Sequence, residues 1–356
     1  MPSPHTRDYP SPVSEPILTR RALNRALLAR QLLLDRVELP IPEAIGQVGG
    51  LQTQYSPSGY VGLWTRLRDF RRDDLTSALE DRSVIQATLM RTTIHMVSRR
   101  DYWAYELGVR RARRAWALRL PVAAGGGEAA MMAKAQRLQA ELAAGPRTVK
   151  ELGDLAAGFV GSLGVWIDLV RVPPSGTWER RRADRLALAE DWVGPPDTTE
   201  EAGLTHIVRA YLRAFGPAAW KDIASWAGVP AADIRRGAEK LELRRYRDED
   251  GRALVDLEDA QPPDPGATAP VRFLPHWDAI LLVHARRAGV LPEMYRPLIF
   301  TTKNPFSVGT YVVDGIVAGA WSVRDGHVVL DPYVALDARV RKAVEREREA
   351  LEAFHA

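Results

Sequence analysis

The chain has 356 residues, 46% of them hydrophobic and 26% charged, which is material for two to four globular units with sizeable cores. It has no cysteine, so disulfides, iron–sulfur clusters and thiolate zinc sites are excluded, and a reducing, cytoplasmic location is expected. The net charge is only +4, yet 43 arginines stand against six lysines; a GC-rich coding bias contributes to that count, so where the arginines cluster says more than their number.

In chain order, Met1 to Pro16 is rich in proline and serine without an apolar core, and reads as a disordered arm rather than a signal peptide. Leu23 to Val37 carries apolar residues at helical spacing. Pro42 opens a second helix, and Asp73-Asp74-Leu75 caps a third that ends near Asp81. Val84 to Leu89 and Thr92 to Val97 read as two strands. Three helices and a two-stranded ribbon make a winged helix, a helix-turn-helix variant that often docks on DNA. A long helix is expected over Asp101 to Leu120, then a glycine-rich break at Pro121 to Gly127.

A helix over Glu128 to Ala143 starts the next unit, and Thr148 caps another. Gly161 to Val172 looks partly extended, and Trp178-Glu179-Arg180-Arg181-Arg182 follows a proline turn like the tip of a wing. The third passage is the clearest: helices over Leu204 to Phe215, Ala219 to Trp226 and Pro230 to Leu241, then strands at Leu243 to Arg247 and Ala253 to Leu257. Thr148 to Ala156 and Ala219 to Ala227 share a basic–acidic pair ahead of an apolar residue, as an internal repeat would. Gln261 to Pro270 is a proline-rich linker. Beyond it a hairpin turns on Asp314-Gly315, a strand follows at His327 to Leu330, and a charged helix closes the chain from Asp337 to Phe354. The expected fold is α+β: an arm (1–16), three tandem winged-helix units (17–122, 123–197 and 198–262), and a β-rich C-terminal element with a terminal helix (263–356).

No phosphate loop, dinucleotide fingerprint, His-Glu-x-x-His or nucleophile-elbow serine occurs, and the seven histidines are scattered, so neither metal nor cofactor is expected. None of the six lysines sits in an evident Schiff-base setting. One stretch stands out. Gly49-Gly50-Leu51-Gln52-Thr53-Gln54-Tyr55-Ser56-Pro57 holds two glutamines one residue apart, flexible before and stiff after. A carboxamide donates and accepts at once, so two of them can orient a water, although neither is a strong base. The ordinary account of such a pair is solvation or helix capping. Likewise, Arg110 and Arg113 on the long helix read either as a solvated face or as phosphate contacts.

Several segments, in order, resemble the AlkZ/YcaQ-like DNA glycosylases, a family of tandem winged-helix proteins. Leu51-Gln52-Thr53-Gln54 is similar to the family's Gln-x-Gln motif. Met90-Arg91-Thr92-Thr93-Ile94-His95 is similar to its Met-Arg-Gly-Thr-Leu-His segment, and Phe273-Leu274-Pro275-His276-Trp277-Asp278 to its Leu-Leu-Pro-x-Phe-Asp segment. The passage Ile207 to Ala227 and the Val313-Asp314-Gly315 hairpin also match, so the resemblance spans about Leu23 to Trp321. Thr92-Thr93 in place of a glycine-containing pair, Trp277 in place of Phe, and His284-Ala285-Arg286-Arg287 without a preceding Asp are departures that bear on pocket shape.

The resemblance implies hydrolysis of the N-glycosidic bond of an alkylated purine, such as an N7-alkylguanine, a bulky natural-product adduct or a crosslink, in double-stranded DNA by a monomer. Some members of the family give antibiotic producers resistance to their own alkylating products. It assigns Gln52 and Gln54 to the water and the sugar; Glu38, Glu43, Asp69 or Asp278 remain alternative bases. Arg91, Thr92, His95, Arg110, Arg113, Arg180, Arg181, Arg182, Trp277 and Asp278 are the expected DNA contacts, with a structural role equally open for His95 and a core or cap role for Trp277 and Asp278. The rival readings are a winged-helix regulator without chemistry, and a glycosylase for simple methyl-purine lesions.

Overall fold

Strands Val84–Thr88 and Ile94–Ser98 pair antiparallel, as their β-branched runs predict, but the sheet they start does not stop at the first unit. Its order runs Leu51–Gln52, Ile94–Ser98, Val84–Thr88, Leu169–Arg171, Arg185–Leu188, Arg147–Thr148, so the first two expected units share one six-stranded sheet. Gln86 opposite Arg171 and Ala87 opposite Val170 form the seam. The computed structural model describes residues 15–120, 127–156, 164–261, 264–282, 289–301 and 306–356. The arm up to residue 14, most of the glycine-rich break, the start of the expected extended stretch at Gly161, part of the proline-rich linker, and His284-Ala285-Arg286-Arg287 lie outside the described residues.

The class is mixed α+β. Among the described residues no helix is long and apolar enough to cross a membrane. Two helices, Arg99–Ala117 and Glu200–Phe215, form the axis of the main core. They meet at Gly108 and Gly203, where a Cβ on Gly108 would lie 2.6 Å from the Gly203 carbonyl oxygen, so only hydrogen fits there. Helices Trp220–Ala227 and Ala231–Ala238 pack beside Glu200–Phe215, and the hairpin Leu243–Asp248/Ala253–Leu257 follows in the expected order. The aligned repeats do open helices in both places: Thr148 and Glu151 make a capping box, and the Ala219 amide donates to Asp222 Oδ2.

One expectation needs correction. The first helix is Arg20–Arg30, not Leu23 to Val37; Leu32 turns left-handed (φ 56°) and ends it. This segment is also tied to the third passage. Strand Ile17–Leu18 joins the hairpin of the third passage in parallel, and Arg30 bonds Asp256 bidentately at 2.6 and 2.7 Å. Finally, an unforeseen helix, Pro57–Trp64, follows the glutamines and is buried on nearly every side.

The C-terminal element is a four-stranded antiparallel sheet, Arg272–Leu274, Gly309–Val313, Ile316–Arg324 and His327–Pro332, with Asp314 (φ 47°) and Gly315 (φ 78°) in the expected turn. Helix Ala338–His355, capped by Asp337, runs back over the first half. Its Phe354 packs on Trp64, Phe70 and Trp178.

Candidate active site

The glutamine stretch is an edge strand. Helix Ile41–Gln47 ends in Gly49 (φ 79°) and Gly50 (φ 85°), and a Cβ on Gly50 would press Val97 Cγ1 at 3.2 Å and the Met96 carbonyl oxygen at 3.3 Å. The glycine pair therefore delivers the chain onto strand Ile94–Ser98, with Leu51 opposite Met96 and Gln52 opposite His95; the Thr53 amide extends the ladder to the Ile94 carbonyl at 2.8 Å. Alternation along a strand does the rest. Thr53 points inward and accepts from Gln86 Nε2 at 3.2 Å, while Gln52 and Gln54 share the other face.

On that face the two carboxamides bond each other, Gln52 Nε2 donating to Gln54 Oε1 at 2.9 Å. Gln52 is half-buried and Gln54 exposed, so the pair is open to a ligand. Arg91 Nη2 donates to Gln52 Oε1 at 2.8 Å. The neighbouring loop continues the surface: Ser56 Oγ donates to the Arg181 carbonyl at 2.6 Å, and Arg181 Nη1 donates to Tyr55 Oη at 3.1 Å.

Thr92 is not the strand residue expected; with Arg91 it lies before the strand. Both occupy a tight turn, Met90–Thr92, with φ of 52° and 58°. Such angles are strained for residues with a Cβ, most of all for a β-branched threonine. His95 is 2% exposed and donates Nδ1–H to the Thr93 carbonyl at 3.0 Å, so it is a core histidine, on the sheet face of its cross-strand partner Gln52. Burial, with the Arg91 charge beside it, pushes its pKa down to about 3. The unfolded chain takes up that proton near 6.5, whereas the native state refuses it until about 3. Stability is therefore complete above 6.5 and is lost as pH falls below it, at about 1.4 kcal/mol per pH unit for this residue. Urea unfolding between pH 7.5 and 4.5 is expected to flatten in His95→Gln relative to wild type; parallel curves would remove His95 as the cause.

The family model described as DNA glycosylase AlkZ-like matches residues 45–354. The chain belongs to the AlkZ-like DNA glycosylase family. The interstrand DNA cross-link repair glycosylase of Streptomyces sahachiroi is 30% identical over 167 residues, which is 44% of this chain and 43% of that protein. The chain thus matches less than half the length of this curated relative. The solved structure of Streptomyces sahachiroi DNA glycosylase AlkZ shares the fold, with a TM-score of 0.77 at 19% identity over 95% of this chain and 97% of that one.

In this AlkZ-like chain the remaining expected contacts divide. Arg180, Arg181 and Arg182 are exposed, and with Arg147 and Arg185 they line a polar groove of about 580 Å³ that also holds Thr148, Glu151 and Asp184. Arg147 and Arg185 went unnoticed in the sequence because strand pairing, not proximity along the chain, brings them together. Arg110 and Arg113 are engaged within the chain. Arg113 (4% exposed) donates to Glu106 Oε2 at 2.7 Å and to the Gly164 carbonyl, and Arg110 donates to Asp168 Oδ1 at 2.7 Å. Glu106, four and seven residues ahead of them on one helical face, is the signal that marks this as an internal ion cluster.

Asp278 is also interior, held by Arg66 at 3.0 Å and capping the turn Ala279–Leu281 through the Ile280 amide. Trp277 is half-buried against Phe300, its backbone (φ 62°) fixed by a hydrogen bond from its amide N–H to Ser307 Oγ. Glu38, Glu43 and Asp69 are exposed on separate segments.

Proposed function

We propose that the chain is a monofunctional, monomeric DNA glycosylase that hydrolyses the N-glycosidic bond of alkylated purines in double-stranded DNA, with Gln52 and Gln54 as its catalytic pair. The observation that carries this reading is the exposed, mutually bonded amide pair on an edge strand, ordered from behind by a cation. Family membership supports the reaction class, and the name of the Streptomyces sahachiroi relative supports bulky or crosslinking adducts over small methyl lesions. Repair of, or self-resistance to, alkylating natural products follows as the biological role.

The chemistry asks little of the protein. Alkylation at N7 makes the guanine cationic, and it leaves as a neutral base when the C1′–N9 bond breaks and its electron pair goes to the ring. Water oxygen bonds to C1′ and its proton passes to solvent, so no strong base is needed. What remains is to hold a water and to stabilise an oxocarbenium-like sugar, which placed dipoles accomplish. Gln54 Oε1, already accepting from Gln52, has a second lone pair for a water proton.

For the architecture we propose three winged-helix units, two of them fused through a common sheet; the helix–helix–helix–hairpin order from Glu200 to Leu257 supports the third. The groove lined by Arg147, Arg180, Arg181, Arg182 and Arg185 suits the phosphate backbone, since Arg181 in turn bonds Tyr55 beside the amides. Arg180→Ala and Arg147→Ala are each expected to flatten the slope of log affinity against log salt by about 0.9 while leaving the rate at saturating DNA unchanged. An unaltered slope in both removes the groove from the interface.

Chromatographic assay of base release from alkylated duplex DNA tests the main proposal. Free N7-alkylguanine with an abasic product supports it; tight, sequence-selective binding without release would instead make the chain a regulator.

A further inference from the structure

Amide oxygen and nitrogen are interchangeable in shape, so a glutamine pair can be wired in either direction, and its chemistry depends on which. Here a third residue breaks the tie. The guanidinium of Arg91 has donors only. It can face nothing but the oxygen of Gln52, which turns the Gln52 NH2 toward Gln54, and that in turn admits only the oxygen of Gln54. We propose that Arg91 is not a DNA contact but a positioning residue, whose hydrogen bond to Gln52 Oε1 sets the direction of the Gln52–Gln54 amide chain and so leaves an acceptor, Gln54 Oε1, for the attacking water.

The placement of Arg91 is itself built. Its other terminal nitrogen, Nη1, donates to the Trp226 carbonyl, at the end of helix Trp220–Ala227. A cation is favoured there by the carbonyls that the helix end leaves exposed. Gly228 (φ 70°) then lies against the Arg91 backbone, where a Cβ would come within 3.1 Å of Arg91 N and Cα. The left-handed Arg91-Thr92 turn is thus held by close packing from the third passage, and the side chain is aimed from there to the edge strand. Burial pushes Arg91 down to about 10, so it remains charged at neutral pH. A charged donor also polarises the two amides in series, which makes the terminal oxygen a better acceptor.

The catalytic consequence rests on the glycosylase reading; the wiring does not. Arg91→Met is expected to slow base release at saturating DNA about 100-fold, as a misplaced catalytic group does, with DNA affinity and salt slope unchanged. Arg91→Lys, which keeps one donor, recovers part of the rate. Gln52→Glu guards against a folding defect at Arg91: it keeps the Arg91 bond but has no donor, so Gln54 must turn its NH2 inward, and release is expected to fall as far with an unchanged melting temperature.

Independently of activity, the Gln52 side-chain NH2 protons in wild-type protein are expected to exchange with solvent more slowly than in Arg91→Met, read by amide-resolved NMR. Release within threefold of wild type in Arg91→Met, with a salt slope lower by about one unit, would make Arg91 a phosphate contact. Wild-type release by Gln52→Glu, or equal amide exchange in wild type and Arg91→Met, overturns the wiring. A wild-type protein that releases no base but shows the exchange difference overturns only the glycosylase reading.

Discussion

A Gln52→Ala, Gln54→Ala double variant is expected to bind alkylated duplex DNA as the wild type does and to release base at least 100-fold more slowly. Both side chains leave the fold at an open face: Gln54 is exposed, Gln52 half-buried, and the backbone pairing with Ile94–Ser98 is untouched by their removal. Stability should therefore hold, and the loss should fall on chemistry. One preorganised polar group aimed at a transition state is typically worth about 10²–10³ in rate. The two here act through one bond, so their effects should not add: each single variant should lose nearly as much as the double. Single-turnover base release, with binding measured alongside, is the check. Release within threefold of wild type would take the amides out of the reaction while leaving the family assignment intact.

The pair itself was legible from its spacing and its likeness to a Gln-x-Gln motif, but not the edge strand that puts residues two apart on one face. What surrounds it was not. Arg91 lies between two genuine strands, and nothing local marks its left-handed turn, since the constraint comes from Gly228, more than a hundred residues later. Helix Pro57–Trp64 is buried almost all round and contains Gly59 and Gly62, so it shows no amphipathic stripe. By contrast, the Asp314-Gly315 hairpin and the helices between Glu200 and Ala238 carry their own turn and capping signals and were readable locally. The interior partner of Arg113 was not legible, because a cluster of charge along the chain does not say which side chains pair inside.

Asp278→Ala is expected to cost roughly 3–5 kcal/mol of stability, the usual consequence of stripping one partner from a buried ion pair. Arg66 is 1% exposed and its carboxylate partner 2%. Arg66 also donates to the carbonyls of Gln31 at 2.9 Å and of Gly62 at 2.9 Å, so it ties the first helix and helix Pro57–Trp64 to the C-terminal element. With Asp278 gone, that guanidinium keeps neutral acceptors but loses the only carboxylate it bonds among the described residues. The paired change Arg66→Met, Asp278→Leu should recover most of the loss, because no charge is then left inside. Denaturant unfolding measures both. A loss under 1 kcal/mol in Asp278→Ala, together with weakened DNA binding, would return Asp278 to the interface.

The six-stranded sheet has a consequence for how the chain is made. A ribosome delivers the amino-terminal segments first, yet Val84–Thr88 keeps one edge unsealed until Leu169–Arg171 emerges, and Ile17–Leu18 waits for Leu243–Asp248. The aromatic cluster of Trp64, Phe70 and Trp178 receives Phe354 only when the final helix arrives. Nascent intermediates therefore carry sticky borders for most of translation, a situation that favours chaperone capture over stepwise maturation and makes carboxy-terminal truncations prone to aggregate.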